Sequence, residues 1–261
     1  QTEITWTVSN IGTGPTSAPV WRDYIYLSTD EVYDAADQHL ATVNNPAYLP
    51  EGESYTNSAT VTLPRGINGD YYFVVYTDRN NYVYEHEDHE DDNVGVGGPT
   101  EVTLTPPPDL VVTNVLAPPS PAVSGSTVSV QWTVENVGTG PTMAGETSWW
   151  DTVYLSEDQT LDGGDLYLGQ NRYYPGDQFD VGETYTRSVD VDIPIDTEGD
   201  RYFIVVADAY NQVFEHAAEL NNEGAHNTPV TFLLDTSDLE VDVVSAPASA
   251  ESSHNVTITY E

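Results

Sequence analysis

The chain contains no cysteine and no lysine. The first absence excludes disulfide staples, zinc–thiolate sites and thiol catalysis. The second leaves six arginines (22, 65, 79, 172, 187 and 201) to face 43 Asp and Glu residues, for a formal net charge of −37. Such a surface repels nucleic acid and anionic membranes. It also repels itself, so folding calls for salt screening or bound divalent cations. No apolar run approaches the roughly 20 residues of a membrane-spanning helix, and no amphipathic helical period stands out. Membrane insertion and nucleic-acid binding are therefore not expected. Also missing are G-x-S-x-G, H-E-x-x-H and any phosphate-binding glycine loop, so the chain does not read as an enzyme.

What is present is repetition. TWTVSNIGTGPT at 5–16 returns as QWTVENVGTGPT at 131–142, and WRDYIYLSTDEVYDAAD at 21–37 returns as WWDTVYLSEDQTLDGGD at 149–165. YYFVVYTDRNNYVYEHEDHEDDN at 71–93 returns as RYFIVVADAYNQVFEHAAELNNE at 201–223. A module copied in tandem explains this pattern. Within each copy apolar and polar residues alternate, as in Ile4, Trp6 and Val8 or Val128, Val130, Trp132 and Val134, which is the period of half-buried strands. Turn signals (NIGTG, PEGES, INGD, NVGTG, DVGET, DTEGD) break the runs at short intervals. Eighteen tyrosines and five tryptophans in regular alternation argue against the disorder common in acidic chains. The fold class expected is all-β, with tandem immunoglobulin-like β-sandwich modules and Greek-key connections.

The repeat frame divides the chain into a sandwich over 1–105 that lacks its first strand, a Pro-rich linker at 106–108, and a complete sandwich over 109–234. Residues 237–261, beginning SDLEVDVVSAP, repeat the opening DLVVTNVLAPP of the second module and read as the opening strands of a third. The frame suggests a piece of a longer array. An uncovered first sandwich edge suggests a donor role for 237–261 toward a neighbouring copy.

In order, DLVV, W-T-V-x-N-x-G-T-G, D-x-x-Y-L-S-x-D, G-x-x-Y-T, G-x-Y-x-x-V-V-x-D and N-x-V-x-E-x-x-E-x-N-N resemble the CARDB family, the cell-adhesion-related domain found in bacteria. The resemblance covers essentially the whole chain. It implies immunoglobulin-like modules in large secreted or surface-attached prokaryotic proteins, with a role in adhesion or spacing. It points to an extracellular or cell-surface location and to a non-catalytic structural array or filament. The expected partners are neighbouring modules or other copies of the chain. The alternative is a carbohydrate-binding module or an accessory domain of a secreted hydrolase, with surface glycans as partners.

Two carboxylate clusters recur and are candidate Ca²⁺ ligands. The first is Asp23, Asp30, Asp34 and Asp37, repeated as Asp151, Asp158, Asp162 and Asp165. Oxygens every three or four residues suit a hard cation, although a hairpin whose aspartates bond their own turn has the same look. The second is Asp78, Asn81, Glu85 and Asp91, repeated with additions as Asp208, Asn211, Glu215, Glu219 and Asn222. With few basic residues nearby, a cation is the available counter-charge. His86 and His216 read as ordinary hydrogen-bonding residues, since zinc needs several histidines together. Trp21, Trp149, Trp150, Tyr173 and Tyr174 are expected to pack in cores or interfaces rather than to stack on sugars.

Overall fold

A computed structural model describes residues 1–45, 48–86, 92–242 and 248–255. It divides into two compact units, Gln1–Thr105 and Pro106–Glu261, and among the described residues every regular element is a strand. The first unit contains β1 (Thr2–Ser9), β2 (Trp21–Ser28), β3 (Gln38–Asn45), β4 (Ser54–Val61), β5 (Gly69–Thr77) and β6 (Val94–Val102). They form a two-stranded sheet, β1-β4, and a four-stranded sheet, β3-β2-β5-β6.

The second unit contains β7 (Leu110–Leu116), β8 (Ala122–Val123), β9 (Thr127–Asn136), β10 (Trp149–Ser156), β11 (Leu166–Tyr173), β12 (Thr184–Asp192), β13 (Gly199–Val206), β14 (Glu223–Ala225) and β15 (Val230–Leu233). One sheet is β12-β9-β7. The other is β11-β10-β13-β15-β8, with β14 also on β13. The connections β9–β10 and β11–β12 pass from one sheet to the other, as Greek-key topology requires. Each unit is an immunoglobulin-like β-sandwich. Even the irregularities repeat: the β2–β3 register shifts between Ile25 and Tyr26, and the β10–β11 register between Val153 and Tyr154.

Alternation produces these cores. On β9, Val130, Trp132 and Val134 point inward and are buried while Gln131 lies exposed. They join Trp149, Val153, Phe203, Val205 and Phe232 in one continuous cluster, to which β7 adds Leu110, Val112 and Val115. The first unit has two smaller clusters, one around Trp6, Ile25 and Phe73 and one around Trp21, Leu49 and Val83. The described residues of that unit include no counterpart of β7, and β1 pairs only with β4.

Residues 106–108 belong to the second sandwich. The Pro107 carbonyl accepts the Thr139 and Gly140 amides at 3.0 Å, and the Asp109 carbonyl accepts Val137 N–H at 2.8 Å. A Cβ on Gly138 would lie 2.5 Å from the Pro108 carbonyl carbon, so the glycines of NVGTG exist to let this segment lie flat. The linker expected from three prolines is thus part of a module's first edge. Beyond Leu233, residues 234–242 and 248–255 form no strand. Leu239 and Val241 are 94% and 74% exposed.

Candidate functional site

Asp23 and Asp151, expected at the head of the first carboxylate cluster, point into the sandwiches and are fully buried. Trp6 Nε1 donates to Asp23 at 2.8 Å, the Tyr55 hydroxyl at 2.8 Å and the Thr77 hydroxyl at 2.7 Å. Asp151 accepts from Trp132 Nε1 at 2.7 Å, from the Tyr185 hydroxyl at 2.9 Å and from the Asp208 amide at 3.2 Å. A second tryptophan completes each network, Trp21 donating to Tyr55 and Trp149 to Tyr185. Burial pushes Asp151 up to about 6 against the opposing pull of the Trp132 and Tyr185 bonds. Burial, then the neighbouring Asp151 charge, hold Tyr185 well above its ordinary value.

The remaining acids of that cluster shape their own loop. Asp30 accepts Val32 N–H, Asp34 accepts Ala36 N–H and Asp37 accepts Asp34 N–H, at 2.8, 2.7 and 3.0 Å. Asp158, Asp162 and Asp165 repeat these bonds with Thr160, Gly164 and Asp162. The bonds to the amide two residues on are Asx turns, and Asp37 and Asp165 close each loop by accepting an amide three residues back. The second cluster starts the same way. Asp78 accepts the amides of Tyr82 and Val83, and Asp208 those of Gln212 and Val213, at 2.7–2.9 Å. Asn81 and Asn211 have φ of 50–51°, and His86 and His216 φ of 70° and 59°. Their shared role is to occupy left-handed turns, which Asn, Asp and His tolerate better than other side chains.

Among the described residues no group of three or more His, Asp or Glu side chains is arranged to hold a metal ion. The expected many-carboxylate calcium clusters are therefore not assembled there, because backbone and core donors already occupy most of these oxygens. Asp91 lies outside the described residues. One corner differs. Glu215 is fully buried and accepts Leu110 N–H and Asn222 Nδ2. Its own amide donates to Glu219 Oε1 at 2.8 Å. The other Glu219 oxygen, Oε2, and Asn222 Oδ1 are buried with no donor. Burial raises Glu215 to about 8 and Asp208 to about 7, with repulsion from Glu219 contributing to both. In the first module Asn93 donates to Glu85 in the same way.

A different feature was not foreseen. Tyr24, Tyr26, Tyr33 and His39, with Asp34, Asp37 and Arg79, line an open recess of about 410 Å³ in the first module. The Arg79 guanidinium lies 5.6–6.0 Å from the centres of all three tyrosine rings. The second module has Thr152, Leu161 and Ala209 where Tyr24, Tyr33 and Arg79 stand. The signal was the non-repeating aromatic pair Tyr24 and Tyr33 inside a repeat. Of the aromatics expected to pack, Trp21 and Trp149 are buried and Tyr173 stacks on Tyr185 at 3.8 Å. Trp150 and the exposed Tyr174 sit under Arg172.

The CARDB family model matches the chain twice, over residues 1–96 and 107–226. No curated protein matches. Among solved structures, the CARDB domain of a Pyrococcus furiosus protein in complex with di-metal ions is 17% identical, with 49% of this chain and 90% of that chain covered and a TM-score of 0.35. Red sea bream transglutaminase is 10% identical, covering 88% and 29%, with a TM-score of 0.29. A β-glucosidase from Listeria innocua in complex with glucose is 12% identical, covering 58% and 19%, with a TM-score of 0.29.

Proposed function

The chain belongs to the CARDB family, and from that premise we propose that it is a non-catalytic run of structural modules in an extracellular or cell-surface prokaryotic protein, serving adhesion or spacing. The observation that carries this reading is the recurrence of the Trp–Asp–Tyr–Trp network in both sandwiches. The same acidic and aromatic residues recur because each module needs them to fold. A single active centre gives no reason for a copy in each.

Calcium stiffens the second module in this proposal, at the corner of Glu215, Glu219 and Asn222. Two buried oxygens there lack a donor, and neighbouring carboxylates are held above their usual range by burial and mutual repulsion. Calcium takes oxygen ligands and water in flexible geometry, so it supplies the missing counter-charge with small side-chain movements. The test is thermal unfolding of the whole chain with calcium, with chelator, and with chelator plus concentrated sodium chloride. Calcium at a hundredfold its dissociation constant stabilises by about 2.7 kcal/mol, and Glu219→Gln should remove most of that gain. Equal rescue by sodium chloride in both proteins would reduce the carboxylates to a screened surface and end the calcium reading.

The tyrosine recess favours a second reading, a glycan contact made by the first module alone. Aromatic faces beside carboxylates and a guanidinium suit the apolar and hydroxyl-bearing sides of a sugar ring. Titration calorimetry against a panel of neutral oligosaccharides should give heat that Tyr33→Ala abolishes. No heat with any of them sets this reading aside.

A further inference from the structure

We infer that the second module binds an acidic saccharide, one carrying a carboxylate or a sulfate ester, in an open recess between the edge strands β11 and β12. The site is separate from the Glu215 corner and from the tyrosine recess of the first module, and it stands without either.

Gln131, Asn171, Arg172, Thr186, Arg187 and Ser188 line this recess, whose volume is about 350 Å³. Strand β11 ends one sheet of the sandwich and β12 ends the other. Across the seam the Asn171 side-chain amide donates to the Ser188 carbonyl at 2.9 Å. The lining holds two of the six arginines of the chain and none of its 43 Asp and Glu residues. In a molecule so rich in acids, neither arginine has a carboxylate oxygen within ion-pair distance among the described residues. Asp151 lies within electrostatic reach of Arg187, but its oxygens already accept from Trp132, Tyr185 and the Asp208 amide.

Aromatic rings hold the two guanidinium groups instead. Arg172 lies 5.5 Å from the ring centre of Trp150 and 5.0 Å from that of Tyr174, and Arg187 lies 4.9 Å from that of Tyr173. Arg172 Nη2 donates to Ser148 Oγ at 2.6 Å, while its Nε is buried with no acceptor. Arg187 Nη1 reaches the Thr186 carbonyl only at 3.4 Å. Stacking of this kind fixes a planar cation and leaves its N–H donors to a ligand.

The fold does not require this pair. Arg172 stands opposite Trp150 and Arg187 opposite Trp132, whereas the matching places in the first module, opposite Arg22 and Trp6, hold Asn44 and Asn57. Residues that both modules need in order to fold recur, and these arginines do not.

The chemistry of the lining names the ligand. Guanidinium forks match the paired oxygens of a carboxylate or a sulfate. The uncharged polar groups of Gln131, Asn171, Thr186 and Ser188 suit hydroxyls, and Tyr174, 58% exposed, borders Arg172 with a ring on which a sugar can pack. An acidic loop of a second copy would meet the same arginines. Two chains of charge −37 repel each other far more than one chain repels a saccharide of a few charges, because the repulsion scales with the product of the charges.

Titration calorimetry of the whole chain in fixed sodium chloride tests this, with trigalacturonic acid, its neutral methyl ester, galactose 6-sulfate, galactose, sodium acetate and sodium sulfate. The acid should bind at least about tenfold more tightly than its ester, the factor expected of one charge-assisted hydrogen bond. A preference for galactose 6-sulfate over galactose in its place identifies the oxyanion as a sulfate ester. Arg187→Gln should weaken binding by about tenfold on the same ground. Gln131→Glu changes an exposed residue; it should leave the unfolding transition in place and abolish binding by setting a negative charge in the recess. Tyr33→Ala should change nothing here, which separates this site from the glycan contact of the first module. Absence of binding overturns the inference, as do equal affinities for charged and neutral saccharides or binding indifferent to Gln131→Glu. Acetate or sulfate ions that bind as tightly as the saccharides overturn the sugar assignment. Growth in mass with concentration that Gln131→Glu abolishes, read by light scattering, overturns it in favour of an acidic segment of a second copy.

Discussion

A carboxylate that takes a tryptophan N–H and a tyrosine hydroxyl inside a sandwich recurs for reasons of folding. Asp151→Ala strands both donors in the core, and each unsatisfied buried donor costs about 1–3 kcal/mol. Urea unfolding should show a loss of about 3 kcal/mol or more; a change below 1 kcal/mol would mean water replaces the carboxylate. The same residue sets a pH dependence. Burial holds folded Asp151 at about 6, while an unfolded aspartate titrates near ~3.9. Between these values the folded chain keeps a proton on Asp151 that the unfolded chain has released, so this residue's contribution to stability falls as pH rises through the window and levels above it. Asp208 and Glu215, held at about 7 and 8, extend the fall to higher pH. In chelator and fixed salt, Asp151→Asn should lose the part of that fall between about pH 4 and 6. An unchanged slope there assigns the dependence to other groups. In the sequence Asp23 and Asp151 were visible as recurring acids on strands; their burial was not, because Trp132 and Tyr185 reach Asp151 from the opposite sheet.

Strands were legible one at a time. The alternation of Trp6 and Val8 and of Val130 and Trp132 marked β1 and β9, and the glycine-bearing turns marked their ends. Pairing was not legible, and it changes the meaning of single residues. Pro106–Pro108 read as a spacer, yet tertiary bonds to Thr139 and Gly140 make it the lead-in to β7. Gly95 and Gly224 stand at matching places of the repeat, opposite Val75 and Val205, and differ in surroundings. Gly224→Ala drives a Cβ into Val112 and should destabilise by about 1–3 kcal/mol, the usual cost of overpacking. Gly95→Ala meets no atom within 4 Å and should stay within about 0.5 kcal/mol. Chemical denaturation of the two variants side by side decides this, and equal losses would show that Gly95 is as closely surrounded as Gly224. Removing the anchor of β7 by Leu110→Ala should cost about 2–5 kcal/mol, measured in the same way.

At the scale of the whole molecule, charge dominates. A net −37 with six arginines makes the folded state repel itself, and salt shortens the reach of that repulsion. Calorimetry in chelator should show the unfolding midpoint rising with sodium chloride by several degrees; a flat response would place the charges too far apart to interact. This screening is general, whereas the calcium effect proposed above is confined to one corner of one module.

The sequence alone determined the duplication, the all-β alternation, the acidic surface and the family. These are written in composition and in local spacing, so they survive without knowledge of contacts. Tertiary structure decided what the acids do. Asp34 and Asp162 bond the turn beside them, while Asp23 and Asp151 serve networks drawn from both sheets. Glu215 holds the amide of a strand that lies far away in sequence. A carboxylate's role is set by the donor that reaches it, and in a Greek-key sandwich that donor comes from across the fold.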